Sequence, residues 1–426
     1  MKKYNIRKKL LSENGGAAVL VVFTIFTFLI VGMGAFMSVS TLRKSQLNSN
    51  LRIQQIYGED YEKVDGVYEE LIEANKSELE KFKISEEYAT KTMTLTDKYE
   101  NKIIIPSGFK VASDSGLTVG EGIVIEDNDI TKDGNGNSRG NQYVWIPVGE
   151  ITKQDGTKTT ITLGRYVFAD GTNHKDSNGN VLKKGTPILK QSAENYANET
   201  EINITEIDPT STENYAYKEL KINRTGVASS GLDGENETAL NLKGFIDSVK
   251  ENGGYYIARY EASYGTDGKA NSKVSNSFTT NSGSSYAPTV EGALWNNITQ
   301  LDAATASRNL YTTINSDLIN SYAWDTAIVY IQEFSENTDY SHQNSKNTVL
   351  ANTGVNRDEV CKINDMGSNA YEWTTEYSTR IIDSVACTCI VRGSLYLYPN
   401  FYTSIRACTY STYTDCDYTF RTTLYM

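Results

Sequence analysis

The order of apolar and polar positions divides the chain into stretches of different texture. From Gly15 to Val39 the sequence GGAAVLVVFTIFTFLIVGMGAFMSV is broken only by Thr24, Thr27 and Ser38. A helix of ~20 apolar residues crosses a bilayer, so this stretch predicts a transmembrane helix. It is longer than the apolar core of a cleaved secretory signal, which points to a retained anchor. The leader at residues 1–14 carries Lys2, Lys3, Arg7, Lys8 and Lys9 against Glu13 alone. That excess places the N-terminus in the cytoplasm and everything after Val39 outside the cell. Farther on, Tyr57, Tyr61, Val64, Tyr68 and Leu71 step by four and three, with Glu59, Glu62, Lys63, Glu69 and Glu70 between them. This spacing keeps one apolar stripe on a helix, so residues 40–102 read as a helical stalk and linker.

From residue 103 the pattern changes to short β-like runs separated by Gly, Asn, Asp and Ser. Residues 103–141 read as a β-rich lead-in to a head at residues 142–426. Residues 240–254 predict an amphipathic helix ending at glycines, and 255–265 a strand. Residues 298–311 and 316–334 predict helices, and strands return after Cys361. Helices bracketed by strands predict an α+β fold. An Asn-, Thr- and Lys-rich insertion at 152–238 carries no catalytic constellation. Asp129, Thr131, Asp133 and Gly134 resemble the opening of a calcium loop, as do His174, Asp176, Asn178 and Gly179. Their twelfth positions are Gly140 and Gly185 rather than Glu, so both read as hairpin turns.

Composition narrows the chemistry. The 426 residues have a formal net charge of −12, against the basic face that nucleic acid requires. Two histidines, His174 and His342, leave no room for a histidine metal cluster. Five cysteines, all between Cys361 and Cys416, are too few and too local for a disulfide framework. Tyrosine is in excess, with 29 copies against 12 of Phe.

Two resemblances carry these readings toward function. The segment ENGGAAVLVVFTIFTFL resembles the leader and first helix of type IV minor-pilin-like proteins, without the Glu those carry at the fifth position after the leader glycine. In the head, QYVWIPVG (Gln142–Gly149), GYYIARYEAS (Gly254–Ser263) and APTVEGALWNNITQLDAATA (Ala287–Ala306) resemble successive elements of formylglycine-generating-enzyme-like domains. So do LINSYAWDTAIVY (Leu318–Tyr330), INDMGSNAYEWTTEY (Ile363–Tyr377), VRGS (Val391–Ser394), Arg406 and FRTTLYM (Phe420–Met426). The resemblance implies a C-type-lectin-like fold, with Trp373, Arg392, Gly393, Arg406, Phe420 and Arg421 as its scaffold. It also implies a possible calcium site at Asn369 and Glu372, whose hard oxygens suit that ion. Their alternative role is a hydrogen-bonded pair that fixes the turn before Trp373. Enzymes of the family hold copper with two cysteines five positions apart. The matching positions here fall near Tyr402 and Ala407, and neighbouring Cys408 finds its next cysteine only at Cys416. The resemblance therefore implies a non-enzymatic member, with oxidase activity as the lesser alternative.

The tail is the most distinctive segment. Residues 394–426 contain seven tyrosines and ten Ser or Thr. Tyr offers stiff amphipathic contact area and Ser adaptable hydrogen bonding, the composition of antibody paratopes. This position also resembles the variable region of proteins diversified by retroelements, where adenine-directed substitution never yields Lys, Glu, Gln, Met or Trp. None of those five occurs from Ser394 to Tyr425. The expected variable segment is 394–420, with contact residues Leu395, Tyr396, Leu397, Tyr398, Asn400, Tyr402, Tyr410, Thr412, Tyr413, Asp415, Asp417 and Tyr418. Together these readings predict a bacterial cell-surface ligand-binding or adhesion protein with a single membrane anchor. Its expected partner is a protein or glycan on another cell, a phage or a host, with pilus subunits as further possible partners. The alternative is a fixed minor-pilin-like structural subunit or adhesin.

Overall fold

The computed structural model describes residues 87–426, except 197–200, 206–215, 221–223, 229–230, 240–241, 287–289, 346–347, 356–357, 379, 383–384, 399–400 and 411. The predicted membrane span and stalk stripe lie outside the described residues. Among the described residues no helix is long and apolar enough to cross a membrane. The fold is α+β and mostly strand.

Twelve strands form the two large sheets. In chain order they are β1 (Lys110–Val111), β2 (Val124–Glu126), β3 (Gln142–Pro147), β4 (Glu201–Thr205), β5 (Ala216–Leu220), β6 (Gly254–Ala258), β7 (Asn315–Leu318), β8 (Tyr371–Ser378), β9 (Cys389–Arg392), β10 (Ala407–Thr409), β11 (Tyr418–Phe420) and β12 (Thr422–Tyr425). The first sheet has the order β7-β12-β6-β3-β2-β1. Its pairings are antiparallel, and the last strand of the chain sits inside it, between β7 and β6. The second sheet runs β4-β5-β8-β9-β10, with β11 parallel to β8.

Three α-helices lie among the described residues, α1 (Leu242–Asn252), α2 (Gln300–Ser307) and α3 (Ser321–Phe334), beside several two-stranded sheets. Helix α1 buries Leu242, Phe245, Ile246 and Val249, one stripe at helical spacing. It stops at Gly253, whose φ of 76° suits a residue without Cβ. Phe245 meets the rings of Tyr255 and Tyr425 on the first sheet, and the Tyr255 hydroxyl donates to the Ala323 carbonyl of α3 at 2.7 Å. Both helices therefore cover the same face. On the opposite face the Tyr256 hydroxyl donates to the Ile104 carbonyl at 2.8 Å.

Two boundaries differ from the sequence reading. Met93–Thr96 pairs with Lys102–Ile105 as an antiparallel hairpin, so β structure begins inside the stretch assigned to the linker. Residues 315–318 form a strand rather than the start of a helix. Helix α3 begins after Asn320, whose side chain accepts from the Ala323 N–H at 2.9 Å and so interrupts what reads as one long helical pattern. The two calcium-like loops are turns. Asp133 accepts from the N–H groups of Asn135 and Asn137, and Asp176 from those of Asn178 and Asn180.

Part of the 152–238 stretch, left without a role by its composition, reaches the core: Ile161, Leu163, Arg165, Tyr166, Phe168, Tyr217 and Glu219 are buried. The stretch supplies β4 and β5 to the second sheet. Glu219 accepts from the Ser321 N–H at 2.9 Å, placing a carboxylate at the N-terminus of α3, where the helix dipole favours it.

Candidate functional site

The tyrosine-rich tail folds as two loops on a buried frame. The first, residues 393–406, connects β9 to antiparallel β10. The second, residues 410–417, leads into β11. Arg421 then carries the chain from the second sheet into the first.

The frame consists of arginines and carboxylates out of contact with water. Arg392, Arg406 and Arg165 meet Asp325 of α3 and Glu376 of β8, all of them buried. Arg392 reaches Asp325 Oδ1 at 2.5 Å and Glu376 Oε2 at 3.2 Å. Arg406 reaches Asp325 Oδ2 at 2.5 Å and Glu376 Oε1 at 2.9 Å. Arg165 pairs with Glu376 Oε1. Against burial, Arg406, Arg165 and Arg392 hold the Glu376 carboxyl down at about 2. Arg392 also donates from Nε to the Ile405 carbonyl at 2.8 Å, drawing together the two ends of the first loop. Gly393 turns the chain there with a φ of 89°, and a Cβ would stand 3.2 Å from the Met366 carbonyl oxygen.

A second buried cluster lies under the other end of the tail. Arg421 donates to Glu372 through Nε at 3.0 Å and Nη2 at 2.7 Å, and to the carbonyls of Ala258 and Asn364. Glu261 and Asp365 lie close by. Burial raises the Glu261 carboxyl well above its ordinary range, helped by the charges of Asp365 and Glu372. Burial likewise raises Asp365 to about 6.

This cluster corrects the calcium reading. Both Glu372 oxygens are engaged by Arg421, and Asn369 Oδ1 accepts from the Ala351 N–H at 3.0 Å. Asn369 Nδ2 donates to Glu261 at 2.6 Å. A divalent cation would have to replace the guanidinium, so the arrangement does not fit calcium. Asn369 and Glu372 are thus each held by other residues ahead of Trp373, which is itself buried and donates to the Ile298 carbonyl at 2.8 Å.

The expected contact residues separate by depth. Leu397 and Tyr398 are 51% and 52% exposed, Tyr413 is 37% exposed, and Thr412 is exposed. Tyr396, Tyr402, Tyr410, Asp415, Asp417 and Tyr418 are half-buried. Asn400 lies outside the described residues. Leu395 is a correction: at 1% exposure it belongs to the apolar core with Trp373, Val391 and Phe420. The first loop turns inward at this residue, so it serves packing rather than contact.

Rings link depth to surface. Tyr418 packs on Trp373, Tyr371 and Tyr413 with centroids 5.1, 5.6 and 5.2 Å away. Phe401 joins Tyr371 to Tyr398, and Tyr402 stacks on His342 at 4.9 Å. The loops are tied together where the Tyr396 hydroxyl donates to Asp417 at 2.8 Å. Asp415 accepts from Ser282 at 2.8 Å and Tyr413 at 2.9 Å. With Cys416 these two aspartates form an acidic group, and burial together with the Asp415 charge raises the Asp417 carboxyl.

Sequence reasoning missed Arg165, Asp325, Glu376, Glu261 and Asp365. A charged residue amid an apolar or aromatic run, as in GRYVF and YAWDTAIVY, was the available signal. It also gave Cys408 no neighbouring thiol, whereas the fold brings Cys387 to it. No family model, curated protein or solved structure matches the chain.

Proposed function

We propose that this chain is a non-catalytic bacterial surface protein whose C-terminal loops bind a protein or glycan ligand on another cell, a phage or a host. On this reading the head is C-type-lectin-like, of the formylglycine-generating-enzyme-like kind, and the apolar 15–39 segment anchors it in the membrane. The tail is a retroelement-diversified segment.

The observation that carries the reading is the division of labour within 392–421. Arg392, Arg406, Phe420 and Arg421 are buried, while Leu397, Tyr398, Thr412 and Tyr413 project from the loops between them. Exposed positions away from buried networks tolerate substitution with little loss of stability. A diversified binder needs that combination, with change at the tips and constancy at the base. Aromatic rings at the tips, backed by rings below, provide large contact area at a low cost in side-chain entropy.

Sequencing this gene and its flanks across many cells of one population tests the proposal. A nearby second copy of the segment encoding 392–426, differing only at template adenines, is the expected finding, with substitutions concentrated at the exposed positions. An invariant tail with no second copy would remove diversification and leave a fixed adhesin.

A further inference from the structure

The Sγ atoms of Cys387 and Cys408, 21 residues apart in sequence, lie 2.8 Å apart. A covalent S–S bond measures about 2.05 Å, so joining them needs a movement of less than ~1 Å. Their surroundings differ in a useful way. Cys387 is only 1% exposed, two residues before β9, whereas Cys408 is half-buried in β10. The Cys387 thiol donates to Cys408, and Arg380 Nη1 stands 4.0 Å from the same sulfur. Against partial burial, that hydrogen bond and the guanidinium hold the Cys408 thiol down at about 7. The other three thiols are pushed up to about 12 by burial. Cys389 is occupied with Gln300 Oε1 at 3.0 Å.

We propose that Cys387 and Cys408 are a reversible disulfide site, closed by exchange with a low-molecular-weight disulfide such as oxidised glutathione. The Cys408 thiolate attacks one sulfur of the external disulfide, forming a mixed disulfide and expelling one thiolate. Cys387 then loses its proton to solvent and attacks the Cys408 sulfur, expelling the second thiolate, and both expelled thiolates take protons from solvent. Two protein thiols are oxidised to one disulfide while one external disulfide is reduced to two thiols. The accessible, activated sulfur is the attacking one and the buried sulfur resolves, as thiol reactivity requires. The cross-link joins the entry to β9 with β10, the strands from which the first tail loop hangs, so oxidation closes the base of that loop covalently. This inference is independent of what the loops bind.

The test uses the full-length chain treated with oxidised glutathione, then denatured, alkylated and digested for mass spectrometry. Cleavage after arginine leaves Cys387 with Cys389 on one peptide and Cys408 with Cys416 on another, so fragment ions must assign the bond. The expected result is a Cys387–Cys408 link, with Cys361, Cys389 and Cys416 alkylated. A Cys387→Ser chain should retain glutathione on Cys408. Closing a loop of this size raises Tm by roughly 5 °C over the reduced chain, and the difference should vanish in Cys408→Ser. Finding both thiols alkylated in the treated wild type, or glutathione retained on its Cys408, would overturn the proposal. The wild-type mapping decides the matter even where a variant fails to fold.

Discussion

The two buried charge clusters beneath the tail are opposites in composition. Under the first loop, Arg165, Arg392 and Arg406 surround two carboxylates, Asp325 and Glu376. At the other end Arg421 alone serves Glu372, with Glu261 and Asp365 nearby. A cation-rich cluster keeps its acids ionised, whereas an acid-rich one keeps protons. Glu376 is accordingly held down at about 2, while Asp365 is raised to about 6 and Glu261 well above its ordinary range. The same strategy of burying arginine to hold the tail thus produces two opposite responses to acid.

The largest expected effect comes from unbalancing the cation-rich cluster. Glu376→Gln removes the carboxylate that Arg165, Arg392 and Arg406 share, and taking one partner from a buried ion-pair cluster costs about 3–5 kcal/mol. Thermal or urea unfolding should show that loss at neutral pH. A loss below ~1 kcal/mol would mean that water reaches the cluster. The wild-type contribution of Glu376 also depends on pH in a defined direction. Its folded pKa lies below the ordinary 4.5, so its stabilisation is complete above 4.5 and disappears as pH falls toward about 2.

Asp365 has the reverse sign. Its folded pKa of about 6 lies above the ordinary 3.8, so the folded state binds the proton more tightly and stability falls as pH rises between those values. Ionising it costs ~3 kcal/mol above pH 6. Asp365→Asn keeps an acceptor for the Thr353 hydroxyl and the Gly354 N–H, which lie 2.9 and 2.7 Å from Asp365 Oδ2. The variant should therefore be the more stable protein at neutral pH, with the advantage gone near pH 4. Parallel wild-type and variant Tm curves across this range would refute the acid-rich reading.

Arg165→Met sharpens the comparison further, because it leaves two arginines facing two carboxylates. Its cost should be about 2 kcal/mol, that of losing hydrogen bonds to Glu376 and the Tyr217 carbonyl without stranding a charge. Equal losses from Arg165→Met and Glu376→Gln in urea unfolding would show that charge balance is not what organises the cluster.

How much of this was legible in the sequence depends on whether the cause lay nearby in the chain. The stripe Leu242, Phe245, Ile246 and Val249 marks α1 because its period is local. Asn320 is a helix-capping residue, yet NSDL (Asn315–Leu318) before it becomes a strand only through pairing with β12, more than 100 residues away. Arg392, Arg406 and Arg421 stood out through the resemblance, but Arg165, Asp325 and Glu376 did not. Asp325 lies within a helical apolar pattern, and Arg165 within a stretch whose composition resembles surface. Leu395 misled for a related reason. Tyr-rich composition describes the loop as a whole, while depth within a loop that lacks alternation is set by its anchors, here Ser394 donating to the Phe401 carbonyl at 2.9 Å.

The smallest stability effect belongs to the positions outside both clusters. The Tyr398 hydroxyl lies on a side chain that is half exposed, touching Phe401 alone among the described ring contacts, and Tyr413 rests on Tyr418 and Asp415. Tyr398→Ser and Tyr413→Ser should each change stability by no more than ~0.5 kcal/mol, because neither leaves a cavity or a stranded charge. If both substitutions are nearly silent in unfolding while Glu376→Gln is severe, the base and tips of the tail are energetically separate, and the tips are free to change for recognition. A loss of ~2 kcal/mol at Tyr398 would instead make the surface rings part of the core that Trp373, Tyr371 and Tyr418 build, and the loops would then have little freedom to vary.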